Sequence, residues 1–129
     1  MADTVTTSTW NDGSRKTIVM LTSVSDGTGE SAVTKVDISG LSGAPSKVRI
    51  AKVCFSTRTM GVDILFEASA NQFAFHCPAN YAEEFDFEAC CGGIQPNAAA
   101  GGFVGDIKVT TIGHASGARY WIVLVLIKD

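Results

Sequence analysis

The hydrophobic pattern is densest at the C-terminal end, where Ala118–Lys128 reads ARYWIVLVLIK and every side chain from Tyr120 to Ile127 is apolar or aromatic. β-Branched and aromatic types dominate, and the run is too short to cross a membrane as a helix. It therefore reads as a strand of roughly nine residues, about 30 Å long. Strand alternation sends Arg119, Trp121, Val123, Val125 and Ile127 to one face and Tyr120, Ile122, Leu124 and Leu126 to the other. A core accounts for one apolar face. The second needs another cover: a neighbouring layer, a partner subunit, or both.

Strand signals recur along the rest of the chain, and no window holds a 3.6-residue apolar period. Thr4–Trp10, rich in Thr and Val, suits a solvated edge strand, and Asn11-Asp12-Gly13 suits a tight turn. Lys16–Val24 is apolar on both faces near its middle, like the terminal strand, so the two are expected to pair. Val33–Ile38 is a short strand. Lys47–Thr57 alternates cleanly; Arg58–Gly61 reads as a hairpin turn, and Val62–Ala68 returns with Val62, Ile64 and Phe66 inward and Asp63 and Glu67 toward water. Phe73–Cys77 places Phe73, Phe75 and Cys77 on one stripe. Tyr81–Glu84 suits one helical turn, Phe85–Glu88 alternates again, and Asp106–Thr111 precedes the terminal strand.

The expected fold class is all-β, a two-sheet antiparallel β-sandwich of jelly-roll type with about eight or nine strands, forming one domain over residues 1–129. The Cys-Trp-Cys arrangement of immunoglobulin domains is missing. In a jelly roll the last strand lies inside a sheet, here between Lys16–Val24 and Lys47–Thr57. The opposite sheet would carry Phe66, Phe73, Phe75 and Phe87.

Composition narrows the function classes. A hydrophobic fraction of 46% with 18% charged residues belongs to a globular chain rather than a disordered one. The net charge of -3, with the basic residues scattered, argues against nucleic acid as a partner. No basic-then-apolar leader and no apolar run of spanning length is present, so synthesis and folding are expected in the cytoplasm, with no membrane partner. Cys54, Cys77, Cys90 and Cys91 are then expected as reduced thiols, and no CxxC pair marks a zinc site.

Candidate chemistry is sparse. His76 sits mid-strand and His114 in a turn, and neither is accompanied by GxSxG or HExxH spacing. Glu84, Asp86 and Glu88 alternate with Phe85 and Phe87, the pattern of a solvated face rather than a calcium site. The glycines of DGTGES and GGFVGD lack the strand-loop-helix context of a phosphate cradle. No catalytic, cofactor-binding or metal-binding residue is expected, and the chain does not read as an enzyme. The small-residue stretch Ala89–Gly105, with little internal packing and the apolar anchors Ile94, Phe103 and Val104, suits close approach to another protein surface.

The order of DGTGESAVTKVDIS, VRIAKV, GDIKVTTIG and YWIVLVLIKD resembles small virion proteins of tailed phages, especially cyanophages, most closely over residues 14–38 and 101–129. The resemblance implies a β-sandwich structural protein of the capsid cement (decoration) type, synthesised in the host cytoplasm and bound to the exterior of the capsid in the virion. Its partners would be its own copies, as a dimer or trimer, and the major capsid protein. The residues expected at such interfaces are Trp10, Ile94, Phe103, Val104, Tyr120 and Trp121. A tail, head–tail connector or fibre component and a carbohydrate-binding jelly-roll module are the alternatives.

Overall fold

The computed structural model describes residues 4–12, 15–26, 31–41, 43, 45–88, 92–99, 101–113 and 116–128. Nine strands run through them: β1 (Thr4–Asp12), β2 (Lys16–Asp26), β3 (Val33–Val36), β4 (Val48–Arg58), β5 (Gly61–Phe66), β6 (Gln72–Cys77), β7 (Ala82–Asp86), β8 (Ile107–Ile112) and β9 (Ser116–Lys128). They form a five-stranded sheet ordered β1-β2-β9-β4-β7 and a four-stranded sheet ordered β3-β8-β5-β6, and all paired neighbours are antiparallel. From β2 onward, every connection except β5–β6 passes from one sheet to the other. That is jelly-roll topology, with β1 added at the β2 edge.

The terminal strand is where the apolar pattern puts it. Val19, Leu124 and Val53 align across β2, β9 and β4, as do Leu21, Ile122 and Phe55, and all six are buried. Against them the second sheet presents Ile64, Phe66, Ile107 and Val109, each at most 1% exposed. Burying each such side chain contributes about 1.5–3 kcal/mol, so the sandwich is held chiefly by this layer.

Several expectations are corrected. Arg58–Gly61 is not a hairpin turn, because β4 and β5 belong to different sheets. The chain turns the corner at Thr59, which holds φ of 74°, while Met60 is fully buried. The Thr59 N–H donates to Asn80 Oδ1 at 3.0 Å, which ties this corner to the β6–β7 connection.

The stripe of Phe73, Phe75 and Cys77 is broken by a β-bulge. Ile64 faces Phe75 but Leu65 faces Phe73, so the register slips at Ala74 and Phe73 turns outward, 63% exposed. Phe87 is not in the second sheet either. It follows β7 and packs on Phe75 and Phe85 at ring separations of 5.5 and 6.1 Å.

Tyr81–Glu84 makes no helical turn, since Ala82–Asp86 is a strand paired with Lys52–Ser56. The β3 strand stops at Val36, and Ile38–Gly40 forms a 3-10 turn capped by Asp37, which accepts from the Ser39 N–H at 3.0 Å. Finally, Asn11 and Asp12 still pair within β1, opposite Ile18 and Thr17. Gly13 lies outside the described residues.

Candidate interaction surface

The outward face of the five-stranded sheet is built from β2, β9 and β4. The register places Met20 beside Val123 and Cys54, Ile18 beside Val125 and Lys52, and Lys16 beside Ile127 and Arg49. Because Leu124 and Ile122 point into the core, Trp121, Val123, Val125 and Ile127 point out. The Trp121 indole N–H donates to Met20 Sδ at 3.2 Å, so the ring leans along the sheet toward β2.

The sheet itself covers part of this row. Val123 is 9% and Ile127 5% exposed, although both face outward. At the Ile127 end, Lys16 Nζ reaches Glu88 Oε1 at 3.5 Å, so an ion pair spans β9 there. Both partners are well exposed, and such a pair adds little stability. What remains open is toward the other end: Trp121 and Val24 are 37% and 41% exposed, and Ile18, Met20, Thr22 and Val125 are half-buried.

The expected interface residues are not brought together. Trp10 stands at the bulge in β1, opposite no single β2 residue, and its side chain lies outside the described residues. Tyr120 is in the core at 2% exposure and has no surface to offer. Ile94 forms a two-bond bridge with Ile50 and packs against the core. Phe103 is half-buried beside Gly105, whose φ of 85° leaves no room for a side chain: an added Cβ would lie 2.8 Å from the Phe103 ring. Val104 is 45% exposed, but its N–H donates to Glu67 at the end of β5, on the other sheet and toward the opposite end from Trp121.

The expectation that Ala89–Gly105 packs little is also corrected for its described part. Asn97 exchanges two hydrogen bonds of 2.8 Å with the Gln72 side chain, and the Ser69 N–H donates to Gly101. The N–H groups of Val104 and Gly105 both donate to the Glu67 carbonyl at 3.0 Å. Small residues here allow close approach to the protein's own β5–β6 connection: a side chain on Gly102 would collide with Ser69 Oγ. Residues 89–91 and 100, including Cys90 and Cys91, lie outside the described residues.

The titratable groups are dispersed. His76 Nδ1 lies 2.7 Å from Asp63 Oδ1 on the outward face of the second sheet. His114 is outside the described residues. Cys77 is fully buried, and burial, aided by the Asp63 charge, pushes its thiol up to about 12. Such a thiol is a small core hydrophobe, not a nucleophile. Asp86 and Glu88 meet Lys52 and Lys16. No group of three or more metal-ligating side chains occurs among the described residues. Burial also raises the Asp106 carboxyl pKa, opposed by the hydrogen bond it accepts from the Ile38 N–H at 3.1 Å.

No described helix is long and apolar enough to cross a membrane. No known family model matches the chain, and no curated protein matches it. Among solved structures it is similar to a cupin superfamily protein from Desulfitobacterium hafniense DCB-2, with a TM-score of 0.39 and 9% identity, over 100% of this chain and 82% of that one.

Proposed function

We propose that this chain is a structural subunit of a tailed-phage virion, of the capsid cement (decoration) type, which binds the outer surface of the head and stabilises it. The observation that carries the reading is the open apolar strip on the five-stranded sheet, from Val24 past Trp121 and Met20 to Ile18. It sits on hydrogen-bonded strands at the middle of a sheet, so it is presented rigidly and loses little conformational entropy on contact. The sequence resemblance to phage virion proteins supports the same reading. So does the net charge of -3, which suits an exterior position better than contact with packaged DNA.

In this role many weak contacts add up. One subunit bridging two capsid proteins resists their separation, and the effect is multiplied over the lattice. The test adds the purified chain to heads that lack it and follows DNA release on heating. Saturable binding with a higher release temperature is expected, and heads that neither bind the chain nor gain stability refute the reading. A carbohydrate-binding module is the competing reading, favoured by the exposed indole of Trp121. Glycan binding abolished by Trp121→Ala, with no binding to heads, would favour it instead.

A further inference from the structure

We infer that the Trp121 end of the strip is a docking site for an acidic protein segment, with a carboxylate held between Arg58 and Arg119 and apolar side chains laid along Trp121, Met20 and Ile18. Within the virion reading, on which this partner assignment rests, the segment belongs to the major capsid protein.

The register builds the charged end of the site. Arg58 and Arg119 stand directly opposite each other across β4 and β9, Val24 flanks Arg119 on β2, and all three are exposed. Thr22, Trp121 and Ser56 form the next outward row. Like charges directly opposite in a sheet repel and cost stability. Elsewhere on this face the cations are met: Lys16 by Glu88, Lys52 by Asp86, and Arg49 Nη1 donates to the Gly92 carbonyl at 2.7 Å. Among the described residues, no acid meets Arg58 or Arg119. The side chain of Asp26, beyond the bulge that follows Val24, lies outside the described residues. Glu84 does lie on this face, opposite Cys54. It is four residues along β4 from Arg58, about 13 Å and beyond the ~8 Å screening length of physiological salt, so it leaves the two guanidinium groups unneutralised.

A carboxylate answers this end, because two guanidinium forks grip its two oxygens with charge-assisted hydrogen bonds and the anion offsets their mutual repulsion. An isolated anion would use that end alone. Beyond it the outward positions Trp121, Met20, Val125 and Ile18 extend about 20 Å along the strands, neutral and largely apolar. An extended protein segment has the same rise per residue and meets both parts at once. Glu84 sets the direction, since it repels a second acid laid over the middle of the face.

The experiment is a nuclear magnetic resonance titration of the full chain with a short peptide of two glutamates followed by leucine and valine. Its counterpart with glutamine for glutamate and an oligogalacturonate are titrated alongside. The comparison variants are Arg58→Gln with Arg119→Gln in one chain, and Arg15→Gln, an exposed cation before the opposite end of β2. Expected are saturable shifts of the Trp121 indole signal with the glutamate peptide, and binding weaker by about tenfold or more for the glutamine peptide and for the paired variant. Arg15→Gln should bind as the unmodified chain does. The paired variant should melt no lower than the unmodified chain, because a repulsion has been removed; arginines with a merely structural role would lower the melting temperature. A glutamate peptide bound no better than its glutamine counterpart, or bound equally by the paired variant, overturns the inference. So does tighter binding of the oligogalacturonate, which would make this a site for an acidic sugar. Heads that lack the chain keep the two readings apart. Heads that bind the unmodified chain and the paired variant alike refute the acidic docking site and leave the virion reading standing. Heads that bind neither refute the virion reading and the capsid protein as partner, and the peptide titration alone then decides the acidic site.

Discussion

Leu124 and Val125 are adjacent on β9 but face opposite ways, and truncating each to alanine separates the two faces of this strand. Leu124 is fully buried between Val19 and Val53, with the second sheet above it. Close packing on both sides leaves the site little freedom to collapse, so Leu124→Ala is expected to cost about 3–4 kcal/mol, within the usual range for such a change. For a domain of this size that is a loss of about 10–15 °C in Tm. Val125 is half-buried on the outward face between Ile18 and Lys52. Its two methyl groups would be worth about 1.6 kcal/mol if fully buried, so Val125→Ala is expected to cost less than about 1 kcal/mol in the monomer. Urea unfolding at a concentration low enough to keep the chain monomeric gives both values from midpoints at a common slope. Equal losses for the two variants would mean that the monomer covers β9 on both faces, and would remove the basis for an outward contact surface.

Three other expectations come from single sites. Thr59 is β-branched yet holds φ of 74°, so Thr59→Gly, which keeps the N–H bond to Asn80, should raise stability by up to about 1 kcal/mol in thermal unfolding. Asp106 has a folded-state pKa raised above 3.8, so its proton is held more tightly by the folded chain. Stability from this group is full below 3.8 and is lost as pH rises through the raised value; Asp106→Asn should flatten that part of the pH–Tm curve without loss of stability at neutral pH. Cys77, buried and with its thiol pushed up to about 12, should resist a thiol reagent at pH 8 in the folded chain and react once urea unfolds it.

Much of the sandwich is legible in the sequence because its central strands combine alternation with unusual apolarity. Val48–Arg58 alternates strongly enough to show its buried face, and the two-sided apolar character of Lys16–Val24 and Tyr120–Ile127 marks them as neighbours inside one sheet. What is not legible depends on the partner rather than on the strand itself. The bulge at Ala74 exists only in the pairing of β6 with β5, so Phe73 keeps the spacing of a core residue while facing water. β7 is mostly exposed and carries Glu83, Glu84 and Asp86; backbone pairing with β4 makes it a strand, and no burial pattern announces it. The corner at Thr59–Met60 has the length of a hairpin, and only the burial of Met60 between the sheets distinguishes it.

The surface shows the same limit. Two-sided apolarity marks β9 as a strand with two apolar faces, but on the outer one Val123 and Ile127 are largely sheltered by neighbours in their own sheet. The apolar surface left open on that face is thus the strip around Trp121, Met20 and Val24 rather than the whole strand. Of the residues expected to make contact, Trp121 stays in that strip, while Tyr120 turns into the core and Ile94 anchors its own loop.

The most direct test of the proposed virion role is a cryo-electron-microscopy reconstruction of any phage particles assembled from the genome that encodes this chain. The expected result is density for this nine-stranded sandwich on the outside of the head, with the Trp121 face buried against another subunit. Density confined to the tail, or virions that lack the chain altogether, would contradict the assignment.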